Sequence, residues 1–276
     1  IKPELKEGDE KINAKGLIVS PGVIDVHSHS DLSILKHNKG KSRLMQGITT
    51  DATGNCGISP HTFAKEYGQV LEDQLHNSEG INEKDHVDWR TLGEWREKVD
   101  KRGIGLNIAP FCGFGTVRAS VMGKEGEGGE RSKPTDEELE KMKKLVEEAM
   151  NDGAFGMSTG LEYATQRNAF KEEIVELLRV VRRYGGSYMS HIRSEDDFLI
   201  EAVKEFIMIC DQAGVRGTIS HHKAASPWNW GKPVETLRLI EEAREQGINI
   251  ICDAYPWTRV AVRDVGSFFL NEGESI

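Results

Sequence analysis

The feature that most constrains this chain is the alternation of short β-rich runs with helix-patterned stretches. Apolar, β-rich runs lie at 23–26, 48–53, 105–109, 154–157, 187–190, 216–220 and 249–252, and helical patterns separate the later ones. Thr135-Asp136-Glu137-Glu138 has the form of a capping box; the helix it opens runs to about Asn151 and closes at Gly153. Ala169 to Tyr184 is helical and stops at Gly185-Gly186. Ser194-Glu195-Asp196-Asp197 puts a cap and negative charge at the start of the next helix, which stops near Gly214. Pro233 to Gln246 is the last, closed by Gly247. Such alternation predicts an α/β fold, a parallel sheet with helical crossovers.

Two architectures satisfy that pattern, a (β/α)8 TIM barrel of about 250 residues and a doubly wound open sheet. The polar residues favour the barrel. His27, Cys56, His191 and His221 fall at or just after the C-terminal ends of different strands. A barrel gathers such ends around one axis, on the face that carries its active site, whereas an open sheet spreads them along a line. Seven strands are visible and the eighth is not: after 249–252 about two dozen residues remain, without a helix-then-strand pattern. Residues 1–20, ending Gly16-Leu17-Ile18-Val19-Ser20, read as the remnant of a preceding small β domain, the end of an N-terminal β-sandwich segment. Residues 21–276 are the partial barrel domain, with 61–100, polar and carrying Trp89 and Trp95, as an insertion between strands two and three. Residues 123–134, rich in Gly, Lys and Glu, read as a mobile loop.

With 276 residues, 37% of them hydrophobic, the chain can bury one large core. A formal net charge of -9 argues against a nucleic-acid partner. No apolar run approaches the ~18–20 residues that span a bilayer, so no membrane partner is expected. Four cysteines at 56, 112, 210 and 252 form no CxxC and no dense framework, which points to a reducing, cytoplasmic setting.

The chemistry begins at Val23-Ile24-Asp25-Val26-His27-Ser28-His29. Residues i and i+2 of a strand share a face, so His27 and His29 can aim two imidazole nitrogens at one point, as zinc and similar divalent metals require. Gly54-Asn55-Cys56-Gly57 follows the second strand and is not an obvious core segment. Cys112, Cys210 and Cys252 read instead as small buried hydrophobes. Ser190-His191-Ile192-Arg193 and Ser220-His221-His222-Lys223 end two further strands. Histidines and a thiolate at one barrel rim point to a zinc site.

These segments resemble the amidohydrolase superfamily and, within it, the N-acyl-D-amino-acid deacylase (D-aminoacylase) family. The resemblance covers roughly residues 16–258 and includes Ser158-Thr159-Gly160-Leu161-Glu162-Tyr163 and Asp253-Ala254-Tyr255-Pro256; the Gly-Asn-Cys-Gly, Ser-Thr-Gly-Leu-Glu-Tyr and Ser-His-His-Lys runs are the selective ones. It implies a metal-dependent barrel that hydrolyses the amide of a small N-acyl-D-amino acid. Cys56 stands where many amidohydrolases carry a carboxylated lysine. Cys56, His191 and His221 would hold the tight zinc, and His27 and His29 would serve a second, weaker metal position. His221 is preferred over His222, because it follows Ser220 directly and family members often keep only the first histidine. Tyr163, Lys223 and Tyr255 match substrate-contacting positions, and Arg193 binds a substrate carboxylate or pairs with Glu195. The family's general-base aspartate at the end of strand eight has no counterpart: Asp253 belongs to strand seven, and Asp264 follows too closely for a helical crossover of at least ~10–12 residues. The sequence is therefore expected to be truncated at its C-terminus. Phe114 stands where the family commonly has a histidine. Cyclic-amide hydrolases usually supply a bridging lysine at the end of strand four, which here reads Met157-Ser158-Thr159-Gly160. A non-catalytic open-barrel fragment is the other alternative.

Overall fold

The computed structural model describes residues 12–78, 80–123 and 133–257. All its strand pairings are parallel. One sheet has the order β1 (Val23–Asp25), β2 (Ile48–Thr53), β3 (Asn107–Pro110). The other has the order β4 (Cys112–Gly113), β5 (Gly156–Gly160), β6 (Ser187–His191), β7 (Arg216–Ile219), β8 (Ile250–Cys252). The expected third strand is split between the sheets at Phe111. The Phe111 amide donates to the Thr53 carbonyl at 2.8 Å, while the Pro110 carbonyl accepts from the Phe155 amide at 2.8 Å. One strand thus faces a neighbour in each sheet, and the strands follow chain order throughout. A doubly wound sheet reverses that order at a switch point; a barrel does not. Among the described residues β1 and β8 each have one strand neighbour, and an eighth barrel strand with Asp264 falls outside the described residues.

The helices are α1 (Lys41–Leu44), α2 (Gly68–Asn77), α3 (Leu92–Arg102), α4 (Phe114–Met122), α5 (Asp136–Asn151), α6 (Lys171–Arg183), α7 (Leu199–Ala213) and α8 (Lys232–Glu245). The capping box that opens α5 is present: Thr135 Oγ1 accepts from the Glu138 amide at 3.2 Å, and Glu138 Oε2 accepts from the Thr135 amide at 2.8 Å. Met142, Val146, Ala149 and Met150 make its buried stripe, at helical spacing. Tyr188 of β6 stacks on Phe206 of α7 at 5.2 Å between ring centroids. Burying such a side chain contributes about 1.5–3 kcal/mol, so helix and sheet hold each other in place.

Several expectations are corrected. Residues 61–100 lie between β2 and β3 and pack into the core, with Leu71, Leu75, Trp89, Leu92 and Trp95 all buried. Ser194–Asp197 does not cap α7, which starts at Leu199; Ser194 Oγ accepts from the Asp196 amide in a local turn. Cys112 and Cys210 are buried as expected, but Cys252 is exposed. Residues 12–22 contain no strand, and most of the 123–134 loop lies outside the described residues. No helix among the described residues is long and apolar enough to cross a membrane.

Candidate active site

The turn after β2 is built to present Cys56. Gly54 has φ +72°, and a Cβ there would lie 2.0 Å from the Phe111 carbonyl oxygen, so only glycine fits. Cys56 itself is left-handed at φ 55°. That conformation is costly for a side-chain-bearing residue and persists where the surroundings over-determine it. Here they do. Asn55 Nδ2 donates to the Ser28 carbonyl at 3.1 Å and the Ala52 carbonyl at 2.9 Å, tying the cysteine turn to the His27-Ser28-His29 loop. Gln166, fully buried, donates to the Cys56 carbonyl at 3.1 Å and accepts from the Gly160 amide at 2.6 Å. Ser158 Oγ accepts from the Gly57 amide at 2.9 Å and donates to the Gly54 carbonyl.

Around that thiol the fold gathers four histidines. Cys56 Sγ lies 3.4 Å from His27 Nε2 and 3.6 Å from His221 Nε2. Ligand-type atoms of Cys56, His191 and His221 lie within 4.8 Å of one another, as do those of His27, His29 and Cys56. The imidazole centroids of His191 and His221 are 4.6 Å apart, and those of His27 and His221 4.8 Å. Burial works to raise the Cys56 thiol, but His191, His221, His27 and His29 together hold it well below its ordinary range. The imidazoles respond in kind. Burial opposes charge on His27 and His191, yet Asp253 and Cys56 lift His27 to about 10, and Cys56 and Glu162 lift His191 to about 9. A buried thiolate ringed by imidazoles fits the donor set of a soft-to-borderline divalent metal.

Carboxylates back these rings. His221 Nδ1 is 2.6 Å from Glu195 Oε1, whose second oxygen pairs with Lys223. Burial opposes ionisation of Glu195, but His221, His191 and Lys223 hold it below the usual carboxylate range. Asp253 lies just past β8; its Oδ1 accepts from the His221 amide, and its Oδ2 is 3.8 Å from His27 Nδ1. His221 needs that support, because it too has positive φ, 38°. His222 turns away, its Nε2 2.9 Å from Thr236 Oγ1.

The expected substrate-side residues separate. The Tyr163 hydroxyl lies 3.0 Å from His191 Nδ1; burial and the nearby Cys56 push it up, so it stays protonated. Lys223 sits 5.4 Å over the Tyr255 ring, and both line a cavity of about 470 Å³ that opens from His221. The Tyr255 hydroxyl is buried and makes no hydrogen bond among the described residues. Arg193 is placed elsewhere. Its guanidinium is bidentate on Glu205 at 2.8 and 2.9 Å and also donates to the Arg167 and Ala169 carbonyls, so it neither pairs with Glu195 nor faces the cavity. Phe114 is fully buried in the core as the first residue of α4. Sequence reasoning gave no role to Glu162 or Gln166 and left Asp253 without one. Carboxylates and amides beside a loop are common, and no spacing marks those that face a histidine.

Parallel strands in chain order thus bring a thiol and imidazoles together past their C-terminal ends, a donor set suited to a divalent metal. The chain belongs to the amidohydrolase family, whose model matches residues 10–261. It is 34% identical over 247 residues to the D-aminoacylase of Alcaligenes xylosoxydans xylosoxydans, covering 90% of this chain and 49% of that protein. It is likewise 34% identical over 254 residues to an N-acyl-D-aspartate deacylase of the same organism, covering 91% and 49%. Among solved structures it resembles the N-acyl-D-glutamate deacylase of Bordetella bronchiseptica complexed with zinc and a phosphonate inhibitor, with a TM-score of 0.75 and 32% identity over 86% of this chain and 48% of that one. The chain spans about half the length of the curated relatives it matches.

Proposed function

We propose that this chain carries the metal site of a hydrolase that deacylates N-acyl-D-amino acids, giving a D-amino acid and a carboxylate. The observation that carries the reading is the convergence of Cys56, His191 and His221 within 4.8 Å, with His27 and His29 on the same thiol. Cys56, His191 and His221 would hold the tight zinc, and His27 and His29 a second, weaker one. A metal held there would lower the pKa of water to about 7 and polarise the scissile carbonyl. The chain's own groups supply the rest. The Tyr163 hydroxyl, kept protonated, donates to the developing oxyanion. Lys223 and Tyr255 present a cation and an unpartnered hydroxyl to the substrate carboxylate. Domain limits of 1–20 and 21–276 and a cytoplasmic setting, which four unpaired cysteines suit, complete the reading.

Cyclic-amide hydrolysis is disfavoured by β5, which ends Ser158-Thr159-Gly160 without a lysine. Paired assays with N-acetyl-D- and N-acetyl-L-amino acids on the zinc-loaded protein test the proposal. Release of the D-amino acid alone is expected; cleavage confined to the L series sinks it.

A further inference from the structure

We propose that Glu162 is a positioning residue that fixes which nitrogen His191 offers to the metal; this rests on the metal site proposed above. An imidazole ligand must keep one ring proton and present a lone pair from the other nitrogen, and the partner of the protonated nitrogen decides which is which. For His221 the carboxylate at Nδ1 is Glu195, 2.6 Å away, with Lys223 Nζ 3.1 Å from the same nitrogen, and Nε2 lies beside Cys56. For His27 it is Asp253 that lies on the Nδ1 side, at 3.8 Å, with Nε2 again beside Cys56. His191 is turned the other way. Its Nε2 is the nitrogen held by a carboxylate, Glu162 Oε2, at 2.7 Å, and Nδ1 is left on the side of the Tyr163 hydroxyl, 3.0 Å away. Glu162 therefore selects Nδ1 as the ligating atom and keeps it next to the hydroxyl that meets the substrate.

The loop that carries Glu162 is braced for this task. The Leu161 amide donates to the His191 carbonyl at 2.9 Å, joining the two residues' strands at the site, and the Tyr163 amide donates to the Gly160 carbonyl at 3.1 Å. The competing view is an ordinary surface ion pair, since the Glu162 side chain is 43% exposed, and such pairs contribute little. Its partner is not at the surface: the His191 side chain is 8% exposed.

The test is zinc affinity by chelator competition on wild type, Glu162→Ala and Glu162→Gln, together with long-range ¹H–¹⁵N correlation spectra of histidine-labelled, zinc-loaded protein. Wild type is expected to show His191 metallated at Nδ1 and protonated at Nε2. Glu162→Ala should bind zinc about 10–100-fold more weakly and lose that fixed pattern, with Glu162→Gln between the two. Unchanged affinity overturns the inference, and so does weakened affinity with the His191 pattern intact, which is what mere loop loosening gives. If wild type binds no zinc, the metal reading itself falls; if wild type binds and Glu162→Ala matches it, only this inference does.

Discussion

Cys56 is held in a left-handed turn by Asn55, Gln166 and Ser158, and its thiol is the one donor common to both groups of histidines. Replacing it should therefore empty the metal site proposed above. Zinc content measured by inductively coupled plasma mass spectrometry is expected to fall from about one per chain to near none in Cys56→Ala; retention of zinc by the variant would count against the ligand set. A second residue gives a pH signature away from the metal. His61 is fully buried against Trp95, and burial pushes it down to about 3. Below about pH 6.5 the unfolded chain takes up a proton here and the folded chain does not, so stability falls as pH falls. The slope approaches about 1.4 kcal/mol per pH unit, roughly 1.6 kcal/mol in all between pH 6.5 and 5. Urea midpoints across that range should fall less steeply in His61→Asn than in wild type; parallel slopes would show that His61 is not the cause. The metal-type donors were legible in the sequence because thiols and imidazoles are few and sit at strand ends. Glu162 and Asp253 were not, because their role depends on where a loop places one carboxylate among many.

At the scale of elements, all seven strand runs are present with ends shifted by a few residues, because the glycine turns and helical patterns that flank the later ones leave only short segments for strands. The split of the third strand at Phe111 was not legible: it reflects which neighbour each half meets. The helices between β2 and β3 were missed although their signals were there. Thr91 and Glu94 form the same reciprocal box as Thr135 and Glu138, at 3.0 Å in both directions, and Leu92, Trp95 and Val99 give the buried stripe of α3. The polar faces of these helices masked that spacing. Thr135→Ala should remove the Oγ acceptor from the first turn of α5 and cost about 1 kcal/mol. A urea midpoint indistinguishable from wild type would mean that the cap contributes nothing beyond solvation.

At the scale of the molecule, β1 and β8 each have a single strand neighbour among the described residues, and Val23, Ile24 and Ile251 on them are more than half exposed. A parallel edge left without a neighbour recruits further strands. Apparent mass by light scattering after size exclusion should rise with protein concentration, and Val23→Lys should lessen the rise; a mass independent of concentration would show that the edges are covered. The spacing of the ligands along the chain carries a consequence in time. Cys56 and His221 are separated by 165 positions. At about 5–20 residues per second, synthesis takes roughly 8–33 s to cover that interval. Until its end the nascent thiol has no imidazole from β7 beside it. The cluster of Cys56, His191 and His221 can therefore close only once β7 has been made, late in the synthesis of this segment.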